Sequence, residues 1–189
     1  MSSSDYASGG GLLRDSNGSR VKGFSRKIGT TSYLLAELWA LRDSLIMART
    51  IHVEEKLIIN VDALEVINLL SNTKANDRLT QPIVNDCKNI LQAFQKVHLQ
   101  HCYRETNKVV DFLVKLGRRQ SDPFVYYVTP PFGIMEALSD DANAILYNQT
   151  TRIVTDTYGG FKFGYRLKSQ VILLFSLFLL LFRDDTAAG

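Results

Sequence analysis

Two apolar patterns alternate along this chain, and their alternation restricts the fold more than any other feature. From Tyr33 to Ala48 the residues Leu34, Leu35, Leu38, Trp39, Leu41, Leu45 and Ile46 recur at the spacing of one helix face. Leu57-Ile58-Ile59-Asn60-Val61 follows, a short apolar run suited to a buried strand. Helical stretches come next, from Asp62 to Leu70 and from about Leu79 to Phe94, then an alternating strand from Val97 to Tyr103. Asn107 caps a last helix that runs to about Arg119. Upstream, Gly9 to Asp15 and Val21 to Lys27 read as a hairpin around Ser16-Asn17-Gly18-Ser19, closed by Gly29, and Thr31 or Ser32 can cap the first helix. The order β β α β α α β α makes this an α/β domain, and no internal repeat divides it.

The 189 residues suffice for one domain and a tail. Hydrophobic residues at 46% exclude wholesale disorder, and 2 cysteines cannot build a disulfide framework. No Cys/His cluster has zinc-finger spacing. The net charge of +3 permits nucleic-acid binding without requiring it. Residues 1–8 are expected to be a disordered N-terminus and 9–120 the compact unit. Residues 121–157 mix aromatic, proline and acidic residues, and 158–189 form a tail around an apolar run. That run, Val171 to Phe182, is interrupted only by Ser176. As a helix it is about 18 Å long, short of the roughly 30 Å bilayer core, so a membrane partner is not expected. The run is expected to be helical and to pack poorly on the domain. The polar start Met1-Ser2-Ser3-Ser4-Asp5 is no secretory signal, which points to an intracellular setting, nucleus or cytoplasm. No protein partner can be inferred.

Three acids stand where strands end and helices begin: Glu37 early in the long helix, Asp62 after the strand Leu57–Val61, and Asp111 early in the last helix. Carboxylates converging on one edge of a sheet repel and desolvate one another without a cation, and their hard oxygens suit Mg²⁺. Two such ions support in-line phosphodiester hydrolysis. The same acids also suit plain structural roles, Asp62 as a helix cap and Glu37 and Asp111 as acids favoured by the helix dipole. The spacing leaves both readings open.

A set of ordered motifs narrows the choice. Gly10-Gly11-Leu12-Leu13-Arg14-Asp15, Gly23-Phe24-Ser25, Ala36-Glu37-Leu38-Trp39-Ala40-Leu41-Arg42-Asp43, Val61-Asp62-Ala63 and Tyr103-Arg104-Glu105-Thr106-Asn107-Lys108-Val109-Val110-Asp111 occur in one order. The chain thereby resembles the type 1 ribonuclease H domains of plants, including those of non-LTR retroelement proteins. Pro130-Pro131 and Leu138-Ser139-Asp140-Asp141-Ala142 extend the resemblance to about residue 155, as a family-type extension over 121–157.

The resemblance implies a ribonuclease H-like mixed sheet flanked by helices. It also implies four acids that hold two Mg²⁺ ions and cut the RNA strand of an RNA–DNA hybrid. Glu37, Asp62 and Asp111 match three of those acids, as catalytic and metal-binding residues. The fourth belongs to an Asp-Gly pair ending the family's first, central strand, and that strand is expected to be missing here. The implied function is therefore a ribonuclease H-like hybrid endonuclease that lacks its first catalytic Asp. The alternatives are an inactive, truncated remnant that only binds nucleic acid and a tail-anchored interaction protein. Such a truncated chain is expected to cut poorly and to retain weak binding.

Arg104 stands open between a phosphate contact at the site and a buried ion pair. Lys22, Arg26 and Lys27 form a basic strand that is a solvated face or a phosphate contact. His98 and His101 lie on one strand with opposite facings, a poor metal pair, and Cys87 and Cys102 are expected to be free thiols.

Overall fold

The structure is a computed structural model that describes residues 6–15, 19–51, 56–71, 78–101, 108–135, 137–138 and 171–179. Its elements are β1 (Tyr6–Arg14), β2 (Arg20–Thr30), α1 (Tyr33–Thr50), β3 (Lys56–Val61), α2 (Leu64–Ser71), α3 (Gln81–Leu91), β4 (Lys96–His101), α4 (Lys108–Arg119), β5 (Phe124–Tyr127) and β6 (Val171–Leu179). Every element expected between 9 and 119 is present, with ends moved by a few residues. The hairpin tip at 16–18, residues 102–107 with Arg104, Cys102 and the Asn107 cap, and the extension from 139 lie outside the described residues, as do 1–5.

The strands form one sheet in the order β4-β3-β6-β1-β2-β5. β1 and β2 are an antiparallel hairpin, closed where the Asp15 amide donates to the Ser19 carbonyl (2.9 Å) and Asp15 Oδ1 accepts from the Ser19 amide (2.8 Å). Near its far end the pairing skips from Ala7↔Gly29 to Ser8↔Lys27, and Gly29 there has φ +91°, a conformation that disfavours a side chain. The short β5 was not expected from the sequence. It adds to β2 from Gly23↔Tyr127 to Arg26↔Phe124, held by a Phe24–Phe124 ring stack at 5.1 Å.

The apolar tail run differs from expectation. Residues 171–179 are not a loosely packed helix but a strand, and that strand lies inside the sheet. β6 pairs antiparallel with β1, from Ala7↔Leu179 to Arg14↔Ile172, and parallel with β3, from Leu57↔Val171 to Asn60↔Leu174. A continuous apolar run suits a strand covered by helices on both faces as well as it suits a buried helix, and periodicity alone does not separate them. Pairing decides: without β6, β1 and β3 would each present an unpaired backbone edge at the centre of the sheet. The central place expected to stand empty is filled from the C-terminal side.

Alternate residues of β1 face opposite helices. A Cβ on Gly9 would meet Ala40 of α1 at 3.3 Å, and one on Gly10 would meet Leu113 and Val114 of α4 at 3.1 Å. The core divides accordingly. Leu13, Leu57, Ile59 and Val61 pack with α1, α2 and α3, whereas Leu12 and Ile58 pack with Val109, Val110, Leu113 and Val114 of α4. At Gly117, α4 comes so near β2 that a Cβ would lie 2.8 Å from the Arg26 carbonyl oxygen.

Candidate functional site

α1 begins where Ser32 caps it, its hydroxyl accepting from the Leu35 amide at 3.3 Å. Ala36 packs on Ala7 and Ala40 lies over Gly9, so the first turns of α1 cover the start of β1. Glu37 stands between them at 0% exposure. Asp62 directly follows β3. Its carbonyl accepts a 3.1 Å hydrogen bond from Nε2 of His101 at the end of β4, which fixes the protonated nitrogen of that ring. Asp111 sits in the first turn of α4, two residues before the Leu113 that lies over Gly10. Both carboxylate oxygens of Glu37, and one each of Asp62 and Asp111, are removed from solvent.

β6 threads between the elements that carry these acids. Its parallel pairing with β3 advances one residue for one, from Leu57↔Val171 to Asn60↔Leu174, and ends two residues before Asp62. On the other side Ser176 pairs with Gly10. Asp15, by contrast, closes the hairpin beyond the opposite end of β1.

Among the described residues no group of three or more His, Cys, Asp or Glu side chains is placed to hold a metal ion. The donor chemistry of Glu37, Asp62 and Asp111 suits Mg²⁺, but these acids alone do not assemble the set that a two-ion centre needs.

Residues 1–117 match the family described as reverse transcriptase-like. A protein of Arabidopsis thaliana that carries the ribonuclease H name is 30% identical over 135 residues, which are 71% of this chain and 22% of that protein. The chain belongs to this ribonuclease H-like family. Its fold agrees with ribonuclease H1 of the archaeon Halobacterium salinarum, with a TM-score of 0.57 at 22% identity over 63% of this chain and 92% of that one. It agrees also with the N-terminal ribonuclease H domain of a Mycobacterium tuberculosis protein, with a TM-score of 0.55 at 16% identity over 62% and 87% of the two chains. The ribonuclease H-like domain thus spans 22% of the length of its Arabidopsis relative.

The basic residues of β2 have separate fates within this ribonuclease H-like domain. Lys22 Nζ lies 4.2 Å from the centre of the Tyr126 ring, and Lys27 is exposed. Arg26 is partly exposed and engaged with α1. It donates to Asp43 of α1 at 2.6 Å and stacks on Trp39, 4.6 Å from the ring centre. Arg42 lies over the same ring at 5.4 Å and donates to Asp86 of α3. Burial raises the Asp43 carboxyl above the usual range, opposed first by the Arg26 hydrogen bond and charge and then by Arg42. Nothing in the spacing of Arg26 and Asp43 marks them as partners, because only the packing of α1 on β2 brings them together.

Cys87 is a free thiol as expected, buried and pushed up to about 12 chiefly by that burial. His98 is held below its ordinary value by burial and then by Lys56. The exposed face of α4 is a feature the sequence reading passed over. Lys108, Lys115 and Arg119 recur at helical spacing, and with Arg118 all four are exposed.

Proposed function

We propose that this ribonuclease H-like domain binds RNA–DNA hybrids, that cleavage of the RNA strand is the reaction class of its site, and that the chain as it stands performs that reaction weakly or not at all. Glu37, Asp62 and Asp111 are the three acids of the family set in this reading, and Mg²⁺ is the cation. One observation carries the weak-cleavage part: the strand between β1 and β3 is Val171–Leu179, whose sequence contains no carboxylate. In two-metal hydrolysis the ligands fix both ions against the attacking and leaving oxygens, so loss of one charged ligand disrupts both roles. Binding does not need that ligand. The exposed cations of α4 and Lys27 support it, through phosphate contacts that weaken as salt rises. Arg104 is proposed as a further phosphate contact.

The test uses a labelled RNA–DNA hybrid and the full chain. Without metal, fluorescence anisotropy should show binding that falls with added salt, and Lys115→Glu with Arg119→Glu should weaken it. With Mg²⁺, cleavage should be slower than that of an intact ribonuclease H by about a thousandfold or more, a barrier increase of several kcal/mol. Robust cleavage abolished by Asp62→Asn would overturn the second half of the reading, and binding unchanged by salt would overturn the first.

A further inference from the structure

The two strands at one end of the sheet carry a cluster that the candidate site does not use. β3 and β4 run parallel, with Lys56↔Lys96, Ile58↔His98 and Asn60↔Gln100 as partners. Partners in a ladder share a face, so Lys56, Lys96, His98 and Gln100 stand on the face of Ile58, which packs with the α4 cluster. The alternate residues Val97 and Leu99 pack on the opposite side, against the core shared with α1, α2 and α3. α4 itself lies over β1, β2 and β6. Beyond it β3 and β4 form a polar shelf. On that shelf Lys56, His98 and Gln100 are half-buried, Lys96 is exposed, and Gln100 Nε2 donates to Asn60 Oδ1 at 2.6 Å.

The shelf gathers like charge. Burial lowers the Lys56 ammonium from its ordinary value, and Lys96 across the ladder lowers it further. Burial and then Lys56 do the same to the His98 imidazole. Like charges on directly opposed residues destabilise a sheet, so Lys56↔Lys96 is an arrangement that an anion would relieve. Lysine on an edge strand guards against pairing with another chain. That accounts for Lys96 on β4, but not for Lys56 on β3, a strand with neighbours on both sides.

We propose that Lys56, Lys96 and His98 form an anion site for phosphate groups, apart from the three acids. Two ammonium groups and an imidazole N–H suit a ligand with several acceptor oxygens and more than one negative charge, and a phosphate is such a ligand. Lys56 opens β3 and Asp62 follows its other end, so the two places lie about 20 Å apart along the strand. The shelf shares its face of the sheet with α4, whose exposed cations enter the proposed hybrid binding. A nucleic-acid strand that follows α4 is therefore one source of the phosphate, and a small phosphate ligand is the other.

The experiment titrates inorganic pyrophosphate into the full chain at low salt by calorimetry and follows the ring signals of His98 and His101 by NMR. The wild type should bind, and the His98 signals should shift more than those of His101, three residues on and facing the other way. This arm needs no variant. Lys56→Gln with Lys96→Gln should weaken pyrophosphate binding about tenfold or more, because two charge-assisted contacts are lost. Lys96→Gln alone, at an exposed position, repeats the comparison should the double variant fail to fold. Arg49→Gln, which removes an exposed cation in the last turn of α1, should leave binding unchanged. The proposal falls if the wild type does not bind pyrophosphate, if the His98 signals stay still, or if the lysine variants bind no more weakly than Arg49→Gln. The same variants are then titrated with the hybrid, without metal. A salt slope reduced by about 1 for each lysine assigns the site to the nucleic-acid backbone, and an unchanged slope assigns it to a small phosphate ligand. Pyrophosphate binding without any hybrid binding would overturn the proposed function and leave this site standing. Hybrid binding that depends on Lys115 and Arg119, without pyrophosphate binding, would do the reverse.

Discussion

Gly10 of β1 pairs with Ser176 of β6, so a residue near the beginning of the chain lies against one near its end, in the middle of the sheet. Removing β6 would uncover the edges of both β1 and β3. A chain ending before Val171 should therefore lose its cooperative thermal transition, or show a midpoint far below that of the full chain. The loss should exceed about 5 kcal/mol, comparable to the whole stability of many domains. Circular dichroism melts of the two chains check this. An unchanged midpoint would show that β6 is dispensable.

The Arg26–Asp43 pair should matter more than an exposed ion pair. Asp43 is 5% exposed, and Asp43→Ala would leave Arg26 over Trp39 without its carboxylate. Arg26 is partly exposed, which discounts the cost to about 1–3 kcal/mol. Urea denaturation of Asp43→Ala, Arg26→Leu and the double variant should give non-additive losses. Strict additivity would show that the two residues do not act together.

Gly117→Ala tests the packing of α4 on β2. Its Cβ would fall 2.8 Å from the Arg26 carbonyl oxygen, a backbone atom that cannot swing away. The helix gains slightly in propensity and must back off the sheet, so the net effect should be a loss of about 1–3 kcal/mol. A more stable variant in chemical denaturation would contradict the close approach.

Cys87 should impose an alkaline limit on stability. Its thiol is raised from the ordinary 9.0 to about 12, so the folded state holds its proton where the unfolded state releases it. The contribution is complete below about pH 9 and is lost as pH rises toward 12, by about 1.4 kcal/mol for each unit passed. With Cys102→Ser in the background, iodoacetamide at pH 9 should label Cys87 only on unfolding. Denaturation midpoints should fall between pH 9 and 10 more steeply than those of Cys87→Ala. Rapid labelling of the native protein would refute the burial.

The span from 9 to 119 was legible because each element there carries a local signal. The period of α1 is unmistakable, Ser32 caps it, and Leu57–Val61 is too short and too apolar to be anything but a buried strand. β5 had no such signal. Its four residues are a strand because Phe124 stacks on Phe24 and β2 offers a free edge. Glu37, Asp62 and Asp111 could be singled out because motif order marks them, and Asp43 could not, because its partner lies on another element.

The sequence by itself determined the α/β class and the order of the elements from β1 to α4, and it marked three candidate acids, since local periodicity and motif order depend only on neighbours along the chain. The tertiary structure alone decided what Val171–Leu179 becomes. An apolar run without a polar face satisfies a buried helix and a doubly covered strand equally, and the choice falls to the backbone edges that wait for it. Those edges belong to β1 and β3, more than a hundred residues away, and by pairing with them the run sets Ser176 opposite Gly10 and Leu174 beside Asn60.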